Sequence, residues 1–144
     1  MGEGEGQGFT ANFPLPLGSG DSAFLKVLDT LILPLLDRYN PEMLLVSYGF
    51  DTHWLDPIGQ MLVSADGYAR LINRLAMWSD AHCHGRMAMV LEGGYDLDAA
   101  KACTLAVTEA MLGLNWDDPL GPAPYREGEA WRMMIERAKT LWYV

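Results

Sequence analysis

Gly49-Phe50-Asp51-Thr52-His53-Trp54-Leu55-Asp56-Pro57 follows directly on the apolar run Met43 to Tyr48, and Leu91-Glu92-Gly93-Gly94-Tyr95 closes a second run that begins at Met87. Both runs are too short for a helix and too continuous in apolar character for a half-wet strand, so each predicts a strand buried in a parallel sheet. Ligands of open α/β sheets bind beyond the carboxyl ends of the strands. The carboxylate of Asp51 and the phenol of Tyr95 are therefore expected at one edge of one sheet.

The flanking sequence supplies helices in alternation with these strands. Phe24, Leu28, Leu31, Leu35 and Tyr39 recur at steps of three and four, which predicts a helix capped by Ser19 or Asp21 and kinked or ended by Pro34. Tyr68, Leu71, Leu75 and Trp78 outline the inner face of a helix that follows Ser64 and stops at Gly85. A third helix is expected from about Asp98 to Leu112, with Gly113 at its end. Phe9 to Leu15 can extend as a short strand, placed at an edge or outside the ladder by Pro14 and Pro16. The resulting order predicts an α/β chain with a three-layer α/β/α sandwich, a mainly parallel sheet and right-handed crossovers. Residues 1–8 read as a glycine-rich loop or disordered start, 9–116 as the α/β domain, and 117–144 as a turn followed by an amphipathic helix along Trp131, Met134, Ile135, Ala138 and Leu141.

Composition narrows the function. With 144 residues, half of them apolar, the chain suffices for one domain with a core. A net charge of -9 opposes binding to nucleic acid or to an anionic membrane, because the summed field repels a polyanion. No apolar run is long enough to cross a bilayer. Cys83 and Cys103 form neither a Cys-x-x-Cys motif nor a disulfide framework, and no signal-like stretch opens the chain, so a cytoplasmic location is expected.

Position alone leaves two readings for each candidate site residue. Asp51 after a buried strand is either a turn or capping residue or a metal ligand, and Asp51-x-His53 has ligand-pair spacing only if the strand continues through it. His53 is expected in the loop instead. Gly93 and Gly94 let backbone approach a ligand beside a phenol able to donate to an oxyanion, or they form a tight turn with Tyr95 packed as an ordinary aromatic. His82-Cys83-His84 contains three ligand types, but adjacent helical residues diverge by about 100° and do not converge on one ion, so it reads as a helix end with Cys83 turned inward.

Asn12-Phe13-Pro14-Leu15-Pro16-Leu17-Gly18, Gly49-Phe50-Asp51 with Asp56-Pro57, and Leu91-Glu92-Gly93-Gly94-Tyr95 together resemble the histone deacetylase superfamily, the arginase/deacetylase-fold group that includes acetylpolyamine amidohydrolases and acetoin-utilisation proteins. The resemblance runs from about Gly4 to Gly113, with the three motifs in order and at matching separations. It implies that Asp51 is a ligand of a catalytic Zn²⁺, that Tyr95 polarises the scissile acetyl carbonyl, and that Ile58, Gly93 and Gly94 line an acyl channel.

The same resemblance implies what this chain does not carry. The family's zinc also takes an Asp-x-His pair, and a tandem His-His serves as general acid and base; His53, His82 and His84, the only histidines here, occupy no such motif. The chain thus resembles the C-terminal half of a deacetylase. Stable zinc sites use three or four protein ligands, so zinc is not expected to bind stably to this chain alone. Loss of a general base alone costs about 10²- to 10⁴-fold in rate, and the isolated chain is expected to be inactive. In the family's larger sheet the strands ending in Asp51 and Tyr95 are neighbours flanked by strands of the other half, so two bare strand edges are expected to draw in a second copy or a chain carrying that half. An acetylated amide becomes the expected substrate only once the site is completed. The alternatives are a non-catalytic α/β self-assembly domain and a fragment of a longer active amide hydrolase.

Overall fold

The computed structural model describes residues 2–144. Strand β1 (Leu44–Tyr48) pairs in parallel with β2 (Met87–Leu91), in register from Leu44↔Met87 to Tyr48↔Leu91. The chain passes between them through helix α3, Ala65–Cys83, as the alternation of elements predicts. Ser64 caps α3, its Oγ accepting from the Gly67 N–H at 3.0 Å. At the other end His84 adopts a left-handed conformation with φ 56° and Gly85 follows at φ 71°, which ends the helix. Helix α4, Leu97–Met111, is capped by Asp96 through the Ala99 N–H and is followed by Gly113 at φ 67°.

Helices α3 and α4 share one apolar cluster in which Tyr68, Ala69 and Ile72 meet Ala102, Cys103, Ala106, Val107 and Ala110, over Phe50 with Tyr48 and Met89 of the sheet region. The inner row of α3 runs through Ile72, while Leu71 is half-buried. Among the described residues helices cover one face of the two-stranded sheet. The outward-pointing alternate residues are bare, Leu45 at 78 % and Val90 at 62 % exposure. The continuous apolar character of both strands, which suits a sheet covered on both faces, is thus used on one.

The N-terminal part departs from expectation in two places. Residues 9–16 form no strand; they have no ladder partner, Pro14 and Pro16 have no N–H to offer, and Phe13 and Leu15 pack against helices instead. Within the glycine-rich start, residues 2–8 contain a 3₁₀ turn, Gly4–Gly6, and Met1 lies outside the described residues. Pro34 neither ends nor breaks the helical path: α1 (Asp21–Val27) passes through a π-helical turn, Leu28–Ile32, into α2 (Leu33–Tyr39), and Pro34 falls in the first turn of α2, where its missing donor is not needed. Asn40 at φ 53° closes the run.

Neither Ser19 nor Asp21 caps α1. Ser19 Oγ donates to the Pro16 carbonyl, and Asp21 accepts from the backbone N–H of Ser64 at 2.8 Å and from its hydroxyl at 2.6 Å, tying α1 to α3. The N-cap is Gly20, and the open donors of the first turn go to Glu127, whose Oε1 accepts from Gly20 (2.9 Å) and Ala23 (2.8 Å) and Oε2 from Ser22 (3.1 Å). Asp118 does the same for α3, accepting from the Asp66 N–H at 3.0 Å. The turn-rich segment after α4 is therefore a strap, joined to the loop after β1 by Trp54 Nε1, which donates to the Gly121 carbonyl. It leads into α5, Trp131–Trp142, which buries Trp131, Ile135, Ala138 and Trp142 against α1 and the π turn. Leu141 lies outside that stripe and is exposed, because Trp142 takes the inward position.

Because one carboxylate serves three backbone donors across more than a hundred residues, Glu127→Ala is expected to lower stability by about 1–2 kcal/mol. Glu127→Gln, which keeps one acceptor oxygen, should recover part of that loss. Urea unfolding measures both, and unchanged midpoints would show the cap to be energetically idle.

Candidate active site

The parallel ladder continues past both strands. Glu92 N–H donates to the Tyr48 carbonyl at 2.8 Å, and Phe50 N–H donates to the Gly93 carbonyl at 2.9 Å, so the two motif-bearing loops leave the sheet side by side. Side-chain volume then decides which residues fit. A Cβ on Gly93 would lie 2.5 Å from Asp51 Oδ2, and one on Gly94, at φ 130°, would lie 2.9 Å from Phe50 Cβ. On the opposite side a Cβ on Gly59 would fall 1.6 Å from the Asp51 carbonyl oxygen. Three missing side chains let the Asp51 turn nest between two neighbouring backbones.

Asp56 connects these loops. It is 7 % exposed, its Oδ1 accepts from Ile58 N–H (2.8 Å) and Gly59 N–H (3.0 Å), and its Oδ2 accepts from Tyr95 N–H (2.8 Å). Burial pushes the carboxyl up, but the backbone donors of Gly59, Tyr95, Ile58 and Asp96 push it further down, leaving it below its ordinary 3.8. Asp56 thereby fixes the backbone of Ile58 and Tyr95 with one anion. Their side chains stay available: Ile58 is 65 % and Tyr95 58 % exposed. The sequence signal for half of this role was an Asx turn, Asp56-Pro57-Ile58-Gly59; nothing local announces the bond to Tyr95.

His53 is a core residue of the loop. It is fully buried, bridges to Val63, and stacks on Trp54 with ring centroids 5.5 Å apart. Its Nδ1 accepts from the Leu55 N–H at 3.1 Å, so the ring proton sits on Nε2, which has no partner among the described residues. Burial holds the imidazole below 6.5, against the opposing charges of Asp118, Asp96, Asp21 and Asp56. His82 stacks on Trp78 at 4.4 Å and bonds the Trp78 carbonyl through Nδ1, His84 ends the helix, and the Cys83 thiol faces Ser79. These three do not converge.

Among the described residues no three metal-binding side chains gather, so the donor set does not by itself fit a zinc ion. Two surface cavities, of about 680 and 540 Å³, lie along the N-terminal segment against α2 and α5, and neither includes Asp51, Ile58, Gly93, Gly94 or Tyr95.

Because the folded pKa of Asp56 is depressed, its contribution to stability is complete above 3.8 and is lost as pH falls through the lower folded value. Asp56→Asn removes one acceptor oxygen and the charge, and is expected to cost about 1.5–3 kcal/mol at neutral pH while flattening the acid limb of the stability curve. Denaturant unfolding between pH 2 and 7 tests this, and an unchanged acid limb would overturn it.

Residues 1–111 match the histone deacetylase domain model. A probable deacetylase of Archaeoglobus fulgidus is 37 % identical over 132 residues, spanning 91 % of this chain and 37 % of that protein, and a histone deacetylase-like amidohydrolase of Pseudomonas aeruginosa is 33 % identical over 115 residues, spanning 80 % and 30 %. Among solved structures, the histone deacetylase Clr3 superposes with a TM-score of 0.83 at 27 % identity, over 98 % of this chain and 23 % of that one. The HDA15 HD domain gives 0.79, also at 27 % identity, over 98 % and 36 %. The chain therefore spans between 23 % and 37 % of the length of these four proteins. With its paired strands, glycine-lined turn and two motif loops in the family's order, it belongs to the histone deacetylase family.

Proposed function

We propose that this chain supplies one side of a deacetylase-type active site: Asp51 as a single carboxylate ligand, Tyr95 as the donor to the substrate oxyanion, and Ile58, Gly93 and Gly94 as the wall of the acyl channel. The observation that carries this is the continuation of the parallel ladder to Phe50 and Gly93, which brings the carboxylate and the phenol-bearing loop to one end of one sheet. Asp56 supports it by holding Tyr95 from the backbone and leaving the phenol exposed for an acetylated amide. The family is zinc-dependent, and the ligands and general base that zinc chemistry needs must come from another polypeptide segment. Cys83 and Cys103, both free and buried, accord with a reducing, cytoplasmic setting.

The bare sheet face favours a covering segment as the source, from a second chain or from the rest of a longer polypeptide. Leu45 and Val90 each forgo about 1.5–3 kcal/mol of burial, and β1 and β2 each have one unpaired edge among the described residues. A second copy would satisfy the apolar face alone, making the chain a self-assembling domain. A partner with an Asp-x-His pair and a His-His would complete the site as well.

Two measurements test these proposals. With added zinc, the chain alone should show no deacetylation of an acetyl-lysine peptide above the free-metal background, whereas turnover in the completed assembly should fall about 10²- to 10³-fold in Tyr95→Phe. Activity of the lone chain that Asp51→Ala abolishes would contradict the composite site. In sedimentation at micromolar concentration the chain should run as a dimer or larger, and a well-folded monomer would show that the open face needs no cover.

A further inference from the structure

Tyr68 was legible in the sequence only as one more apolar position on α3, and its ring does serve the core: it is 6 % exposed and meets Phe50 edge to face at 5.2 Å. Its hydroxyl does something else. It donates to the Gly49 carbonyl at 2.8 Å and shares a second, short hydrogen bond with Thr52 Oγ1. Directions follow from the inventory of donors. A carbonyl only accepts, so the single phenolic proton belongs to Gly49, and the Thr52 hydroxyl must donate to the Tyr68 oxygen. Burial pushes the phenol far above 10, which keeps that proton in place.

Gly49 and Thr52 bracket Asp51. A Cβ on Gly49 would lie 3.1 Å from Asp51 Oδ1 and 3.0 Å from the Gly93 nitrogen, so the Asp51 carboxylate folds back over the peptide whose carbonyl Tyr68 holds. Thr52 continues the restraint, its carbonyl accepting from Val63 N–H at 3.1 Å, next to the Ser64 cap that starts α3. We propose that Tyr68 is a positioning residue for the Asp51 carboxylate, setting its direction by holding the Gly49 peptide on one side of the turn and the Thr52 hydroxyl on the other. This rests on Asp51 being a functional carboxylate. It extends the site to α3, so that a rigid helix, and not the glycine-rich loop alone, sets where the carboxylate points.

The test compares Tyr68→Phe, Thr52→Val and Thr52→Ser with the core variant Ile72→Val in the isotope-labelled chain at pH 7. The readouts are the Asp51 carboxylate carbon resonance and amide exchange at Val63. Tyr68→Phe and Thr52→Val should move the Asp51 resonance and speed Val63 exchange about tenfold more than exchange in α4. Thr52→Ser, which keeps the hydroxyl, should restore both. Ile72→Val should lower the unfolding midpoint without moving the Asp51 signal. An Asp51 resonance unmoved in Tyr68→Phe, or moved equally by Ile72→Val, would overturn the assignment, as would Thr52→Ser behaving like Thr52→Val. None of these readouts needs turnover: a displaced Asp51 in an assembly that never deacetylates would fault the functional proposal alone, and an unmoved Asp51 in one that does would fault the role of Tyr68 alone.

Discussion

Everything at the candidate site depends on two parallel strands staying hydrogen-bonded one step beyond their regular ends. The Phe50 N–H to Gly93 carbonyl bond forces the following residues of both loops into contact, and only glycines at 93 and 94 leave room for Asp51 and Phe50 there. Packing of α3 and α4 over Tyr48, Phe50 and Met89 fixes the pair of strands, and thus that bond, from one face. Site geometry is in this sense a property of the helix layer as much as of the loops.

The acidic character of the chain has a structural use that a net charge does not reveal. Asp21, Asp56, Asp96, Asp118 and Glu127 each accept backbone N–H groups at a turn or a helix start. A buried or half-buried donor left unmatched costs about 1–3 kcal/mol, so these carboxylates stabilise the connections where the backbone has no ladder or helix to satisfy it. The strap from Asp117 onward is the clearest case: Glu127 closes the start of α1, which Gly20 leaves open, and Asp118 takes a further donor at the start of α3 beside the Ser64 cap.

Local pattern made much of this legible. Both strands, α3 beginning after Ser64, α4 and α5 follow from apolar run length, helical spacing and stop signals, because those are properties of consecutive residues. What failed was non-local. The run from Phe9 to Leu15 has strand-like composition, but a strand exists only through a neighbour. Pro34 reads as a kink or an end because a π turn that repositions it is invisible in the spacing of Leu31 and Leu35. In the site, Asp51, Gly93, Gly94 and Tyr95 were found as motifs, whereas the bonds of Asp56 to Tyr95, 39 residues away, and of Tyr68 to Gly49, 19 away, join segments that only the fold brings together.

The open sheet face and the one-sided donor set share a geometric origin. A residue at the carboxyl end of a strand can be met by groups from the helix layer on its own side, from the adjacent strand, or from whatever lies on the remaining side. Here the first two are filled: Tyr68 reaches the Asp51 turn from α3, and Gly93 lies against it from the neighbouring loop. The third is not filled by the helix layer, which covers the face of the sheet opposite Leu45 and Val90. In the proposed composite site, groups approaching from there would bury apolar area and add ligands in one event, which would couple association to completion of the site: the free energy of covering the sheet would help bring a second carboxylate or an imidazole, each costly to desolvate alone, up to Asp51.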